Sequence, residues 1–126
     1  MTYSERLIDH FLNPRNAGLM REPDGVGEAE YADCGDLARF FVRVADGSVR
    51  EVRFQTYGCG PTIAAASAAS ELVTGWTLDS LLRLDAEEVE RAVDGLPHDR
   101  VHAADVVASA LRAAALDVLK RRPSDV

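Results

Sequence analysis

The sequence predicts an α+β sandwich: a three-stranded antiparallel sheet with helices packed on one of its faces. Three observations carry this. β-branched and aromatic residues gather in runs that end at Tyr57, whereas helix-forming residues dominate after Gly58-Cys59-Gly60-Pro61, so strands come first and helices afterwards. An Asp46-Gly47 pair, a strong hairpin signal, separates two of the strand-like runs. Near the C-terminus, Val106, Val107, Ala110, Leu111, Ala114 and Val118 recur at the i, i+3, i+4 spacing of an amphipathic helix.

The elements follow in order. Residues 3–11 read as a short helix with Leu7, Ile8 and Phe11 on its apolar side. Ser4 and Glu5 supply its polar start, and Asn13-Pro14 stops it. Residues 16–27, rich in Gly, Pro and charge, read as a surface loop. Strands are expected over 27–32, 37–45 and 49–57; in the last, Val49, Glu51 and Arg53 interleave with Val52, Phe54 and Thr56. An Ala-rich helix over 63–74 ends at Gly75. Thr77 caps a short helix through residue 84, and Asp85 caps another through 93, before Asp94-Gly95. Residues 101–122 form the long last helix.

The whole chain of 126 residues fits one domain, 1–126, able to bury a single modest core with little room left for a deep substrate cavity. Its 47% hydrophobic and 28% charged residues are those of an ordinary globular protein rather than a disordered one. With a net charge of −7 and no basic stripe beyond Lys120-Arg121-Arg122, a nucleic-acid partner is not expected. Those three cations fit the C-terminus of a helix, where they oppose the macrodipole. No secretory signal and no membrane-spanning apolar run are visible, so a cytoplasmic location and no membrane partner are expected. In that compartment the two cysteines read as free thiols, metal ligands or redox groups rather than a disulfide.

Four side chains fall at boundaries between elements: Cys34 and Asp36 in Cys34-Gly35-Asp36, Cys59 within Gly58-Cys59-Gly60-Pro61, and His102 at the start of the last helix. Element ends on one side of a small sandwich can converge into a site. The glycines beside Cys59 free the backbone, and Pro61 suits a first helical turn, so Cys59 should lie at a helix N-terminus that favours a thiolate. Two thiolates, an imidazole and a carboxylate would suit zinc or the iron of a cluster. Cysteine is equally a common buried hydrophobe, and a histidine at a helix start is often a cap or surface group. Spacing alone leaves both readings open. His10 and His98 read as solvated surface residues.

Tyr3-Ser4-Glu5 with His10-Phe11-Leu12-Asn13-Pro14-Arg15-Asn16 resembles the opening of the IscU/NifU N-terminal family of iron–sulfur scaffolds. Ala32-Asp33-Cys34-Gly35-Asp36 resembles that family's first ligand loop, and Thr56-Tyr57-Gly58-Cys59-Gly60 its second. The likeness continues through Glu71, Thr74-Gly75, Leu96-Pro97 and Val101-His102, in order along nearly the whole chain. It implies a SufE/IscU-like sandwich, in agreement with the pattern above. It also implies a non-enzymatic scaffold that takes sulfur from a cysteine desulfurase, assembles a transient [2Fe–2S] cluster and passes it to acceptor apo-proteins. Zn²⁺ or Fe²⁺ would occupy the same site. The family's metal- and cluster-binding positions fall on Cys34, Asp36, Cys59 and His102.

Two departures stand out. The family's third cysteine, directly after the histidine, is here Ala103. Leu96-Pro97-His98-Asp99-Arg100 keeps only the first two residues and the basic end of the Leu-Pro-Pro-Val-Lys motif read by a dedicated Hsp70-type chaperone, so it does not support chaperone-assisted release. A plain connecting loop with Asp99 as N-cap explains it equally well. Two alternatives to the scaffold are a zinc-binding sulfur acceptor of the sulfurtransferase branch, and a degenerate paralogue that acts as a desulfurase partner or regulator.

Overall fold

The structure, a computed structural model, describes residues 3–33 and 35–121. Helix α1 (Glu5–Leu12) is followed by strands β1 (Gly25–Tyr31), β2 (Asp36–Ala45) and β3 (Ser48–Tyr57). Helices α2 (Gly60–Val73), α3 (Leu78–Leu82) and α4 (Ala86–Ala92) come next, then a 3₁₀ turn (His98–Arg100) and α5 (His102–Arg121). The sheet is antiparallel in the order β1-β2-β3, as expected. Asp46 and Gly47, both at positive φ (55° and 75°), form the two-residue β2–β3 turn between the paired Ala45 and Ser48. A register shift follows, so that Arg43 faces Glu51 while Val44 faces Val49.

Alternation along β2 decides which face carries the helices. Ala38, Phe40 and Val42 enter the main core with Val49, Val52 and Phe54 of β3. Against them pack Ala65, Ala66, Ala69 and Val73 of α2, and the predicted stripe of α5, Val106, Val107, Ala110, Leu111, Ala114 and Val118. Beneath α5, β1 presents Gly25, Gly27, Ala29 and Tyr31. A Cβ on Gly27 would lie 2.1 Å from both the Ala110 carbonyl oxygen and the Ala114 nitrogen. The helix backbone therefore rests directly on the strand backbone.

The opposite face is crossed by residues 16–24. Gly18 N–H donates to the Phe54 carbonyl (2.8 Å) and Phe54 N–H to that of Asn16 (3.0 Å), along the outer edge of β3. Arg43 then donates to the Arg21 carbonyl (2.7 Å), and Val44 N–H to Asp24 Oδ2 (2.7 Å). The expected loop is thus bonded to the sheet and strings its edge to β1.

Several expectations need correction. β1 starts at Gly25 rather than 27, because its first two inward positions are glycines that carry no hydrophobic signal. Helix α2 starts at Gly60 rather than 63, with Pro61 in its first turn. On α1 the buried residues are Leu7 and His10, while Ile8 and Phe11 are exposed. Leu7 drops onto Ala64 and Ala68 of α2 and Val93, and His10, one turn on, shares that face. His10 is therefore not a solvated surface residue: its Nδ1 lies 2.7 Å from Ser67 Oγ. His98 is exposed as expected. Asp99 does not cap α5; it sits inside the 3₁₀ turn and pairs with Arg100 (3.2 Å). The predicted caps at Thr77 and Asp85 are present, the latter as a capping box with Glu88. Ser4, expected only as part of a polar start, caps α1 by accepting from Leu7 N–H.

Candidate metal and cluster site

Asp36, the first residue of β2, lies on the row that faces the helices and is 1% exposed. A buried carboxylate must be held by donors, and three elements supply its surroundings. Its cross-strand partner is Tyr31 of β1. Its Oδ1 accepts a hydrogen bond from Cys59 N–H (3.1 Å), and its Oδ2 lies 2.6 Å from His102 Nε2. Gly58, at φ 139°, passes so close that a Cβ there would fall 2.0 Å from Oδ1. The glycine before Cys59 is what lets the carboxylate reach the backbone of the second loop.

Cys59 is the N-cap of α2, the placement expected from Pro61, and its carbonyl accepts from Thr62 and Ile63 N–H (3.1 and 3.3 Å). Its Sγ lies 3.9 Å from Asp36 Oδ2 and 3.2 Å from Thr62 Oγ1. His102 opens α5, and Tyr31 stacks on its ring with centroids 4.5 Å apart and planes inclined by 19°. Asp36, Gly58, Cys59, Arg100 and His102 line a cleft of about 290 Å³.

Of the four residues singled out from sequence, Asp36, Cys59 and His102 are brought together. One donor atom from each, a carboxylate oxygen, a sulfur and a ring nitrogen, lies within 4.8 Å of the others. Cys34 lies outside the described residues. Its neighbour Gly35, at φ 70°, donates to the Ala32 carbonyl (3.3 Å) in the turn between β1 and β2. Ala103, which stands where a third cysteine would follow the histidine, is fully buried. Sequence reasoning missed Tyr31, Thr62 and the structural need for Gly58. Thr62 was within reach, since it sits three residues after Cys59 in the first turn of α2. Tyr31 was not, because its contact with His102 spans most of the chain.

Comparison with known proteins bears on what such a site does. The family model for the NifU-like N-terminal domain matches residues 2–125. The iron–sulfur cluster assembly scaffold protein IscU 1 of Archaeoglobus fulgidus is 38% identical over 119 residues, 94% of this chain and 78% of that protein. The protein called iron–sulfur cluster assembly scaffold protein IscU in Escherichia coli K12 is 35% identical over 126 residues, covering 97% of this chain and 98% of its own. Among solved structures, a nitrogen-fixing NifU-like N-terminal domain from Brucella abortus superposes with a TM-score of 0.74 at 17% identity, over 94% of each chain. A SUF-system scaffold candidate from the thermophile Fervidobacterium islandicum AW-1 gives 0.76 at 19% identity, over 90% of this chain and 96% of that one. At those identities the structural likeness concerns the fold alone.

Proposed function

This chain belongs to the family of NifU-like N-terminal domains, and from that premise we propose that residues 1–126 act as one iron–sulfur cluster assembly scaffold, a carrier rather than an enzyme. The cargo is iron with sulfide, held as a transient [2Fe–2S] cluster by Asp36, Cys59 and His102 together with Cys34. Sulfur comes from a cysteine desulfurase, and the finished cluster leaves for acceptor apo-proteins. The observation that carries this reading is the convergence of three different donor atoms at the start of β2, the N-cap of α2 and the first residue of α5.

The donor spacing fits a metal. In a tetrahedral zinc site, bond lengths of about 2.0–2.3 Å put neighbouring donors roughly 3.3–3.5 Å apart. Here the sulfur-to-oxygen separation is 3.9 Å and the oxygen-to-nitrogen separation 2.6 Å, on either side of that range. An ion would replace the His102–Asp36 hydrogen bond, and both separations would change by less than about 1 Å. Asp36 serves the site twice: Oδ1 is tied to the backbone of Cys59, which leaves Oδ2 free to turn toward a metal. The Thr62 hydroxyl is in place to donate to the Cys59 thiolate. Mixed sulfur, oxygen and nitrogen donors bind iron less tenaciously than four thiolates do, and a cargo must leave.

Ala103 favours a second reading. With a buried methyl group in place of the family's third thiol, sulfur must be received by Cys34 or Cys59. The chain then works as a zinc-binding sulfur acceptor, or as a desulfurase partner or regulator that holds a structural zinc. Anaerobic reconstitution with iron and sulfide, followed by metal and sulfide analysis and visible absorption, separates the readings. A labile cluster that is lost in Cys34→Ser and in Cys59→Ser supports the scaffold. Bound zinc with no cluster under any condition refutes it and leaves the second reading, in which a desulfurase should load persulfide onto Cys34 or Cys59.

A further inference from the structure

The inward row of β1 grows in size along its length: Gly25 and Gly27 under the middle and C-terminal turns of α5, then Ala29, then Tyr31 at the helix start. Where the row is smallest, helix and strand backbones touch. Where it ends, a full aromatic ring lies flat on His102. Tyr31 is also the cross-strand partner of Asp36, so the two side chains leave the sheet on the same face and flank one imidazole. Asp36 holds the edge of that imidazole through Nε2 at 2.6 Å, and Tyr31 covers its face at 4.5 Å between centroids. Two contacts at right angles to each other, one in the ring plane and one across it, leave the ring a single orientation.

We propose that Tyr31 is a positioning residue for the metal site: its ring fixes the plane of His102 so that Nε2 faces the point shared with Asp36 and Cys59. The proposal deepens the site reading of the preceding subsection and rests on it for its functional consequence. The Asp36 hydrogen bond cannot do this alone once a metal arrives, because the ion takes the place of that bond. The stack is the contact that survives loading, since Tyr31 contributes none of the donor atoms that meet at the site. An imidazole held in its binding orientation in advance loses less freedom when it binds. A stacked aromatic pair biases one ring orientation over others by a factor of roughly 2–12. Because apparent affinity scales with the fraction of the free protein already in the binding orientation, affinity for the ion should carry up to that factor.

The test uses the full chain and two measurements. Zinc affinity is obtained by competition with a chromophoric chelator for wild type, Tyr31→Ala and Tyr31→Phe. The ring protons of His102 are observed by NMR in the metal-free proteins, where a stacked phenol shifts them upfield. The expected result is a roughly 2–12-fold weaker zinc affinity and loss of the upfield shift in Tyr31→Ala, with both restored in Tyr31→Phe, which keeps the ring and drops the hydroxyl. Unchanged affinity in Tyr31→Ala would overturn the proposal, and so would unshifted His102 protons in wild type. If wild type binds no zinc, the metal-site reading falls, and the ring shift of the metal-free proteins still decides whether Tyr31 sets the histidine.

Discussion

Replacing Gly58 by alanine should damage this protein far more than an exposed loop position suggests, and the damage should pass through Asp36. The backbone at Gly58 has φ 139°, a region that L-residues rarely enter, at a cost of about 1–3 kcal/mol. The added Cβ would stand 2.0 Å from Asp36 Oδ1 and 2.8 Å from its Cγ, well inside the roughly 3.5 Å of an ordinary carbon contact. The carboxylate must then move by roughly 1 Å or more. That movement breaks its bonds to Cys59 N–H (3.1 Å) and His102 Nε2 (2.6 Å). Hydrogen bonds to a charged group are worth about 1.5–3 kcal/mol each, so the total loss should reach about 4 kcal/mol or more. In an Asp36→Ala background the obstructing carboxylate is gone, and the same alanine should cost the backbone strain, about 1–3 kcal/mol, with one tight contact of 3.1 Å to the Cα of residue 36 left in place. Urea denaturation of the four proteins at neutral pH measures the cycle. Coupling of several kcal/mol between the two substitutions is expected. Losses that add to within about 0.5 kcal/mol would refute the packing of Asp36 under Gly58.

Further outcomes can be checked alongside. Gly27→Ala pushes a methyl into the backbone of α5 from a strand that cannot retreat, so urea denaturation should show a loss of about 3 kcal/mol. The pKa of His10 is lowered, first by burial and then by the Arg15 guanidinium, against a smaller opposing pull from Glu71. The unfolded chain therefore binds a proton that the folded chain refuses. Stability should be full above pH 6.5, the ordinary histidine value, and should fall as pH drops below it toward the folded-state pKa, by at most about 1.4 kcal/mol per pH unit. His10→Gln should flatten this limb in denaturation series between pH 5 and pH 7.5, chosen as roughly one unit either side of the titration; a limb unchanged in the variant would assign it elsewhere. Thr62→Val removes the hydroxyl beside Cys59 Sγ at nearly constant volume. Because one charge-assisted hydrogen bond is worth about 1.5–3 kcal/mol, it should weaken zinc binding by roughly tenfold or more in chelator competition, and unchanged affinity would show that the hydroxyl does not serve the thiolate.

Most of the architecture could be read from residues that act locally. Alternation placed β3, Asp46-Gly47 placed the hairpin, and the spacing of Val106 through Val118 placed the buried stripe of α5. The capping residues Thr77 and Asp85 act within one turn, and each was legible for that reason. Errors arose where burial has no hydrophobic signature. Gly25 and Gly27 pack by lacking side chains, so β1 appeared to start late. His10 is buried as a polar group with Ser67 as partner, which no hydropathy pattern anticipates. At the site, Asp36, Cys59 and His102 could be nominated because Cys-Gly-Asp, Gly-Cys-Gly-Pro and the final helix start are chemically distinctive. Their convergence, and the part of Gly58 and Tyr31 in it, depends on strand register and on contacts far apart in sequence.

The graded row of β1 has one more consequence. A strand can slide along its neighbour by two residues and keep the same side chains on the same face, so hydrophobicity alone cannot prevent that error. Here the notches are of different depth, like the cuts of a key. Sliding one way brings the Ala29 methyl to the seat of Gly27, where a Cβ would meet the Ala110 and Ala114 backbone at 2.1 Å. Sliding the other way brings Pro23 to the seat of Gly25, where a Cβ would stand 2.5 Å from the Ala114 carbonyl oxygen and from the Val118 side chain. Only one setting turns, and in that setting alone Tyr31 arrives at His102.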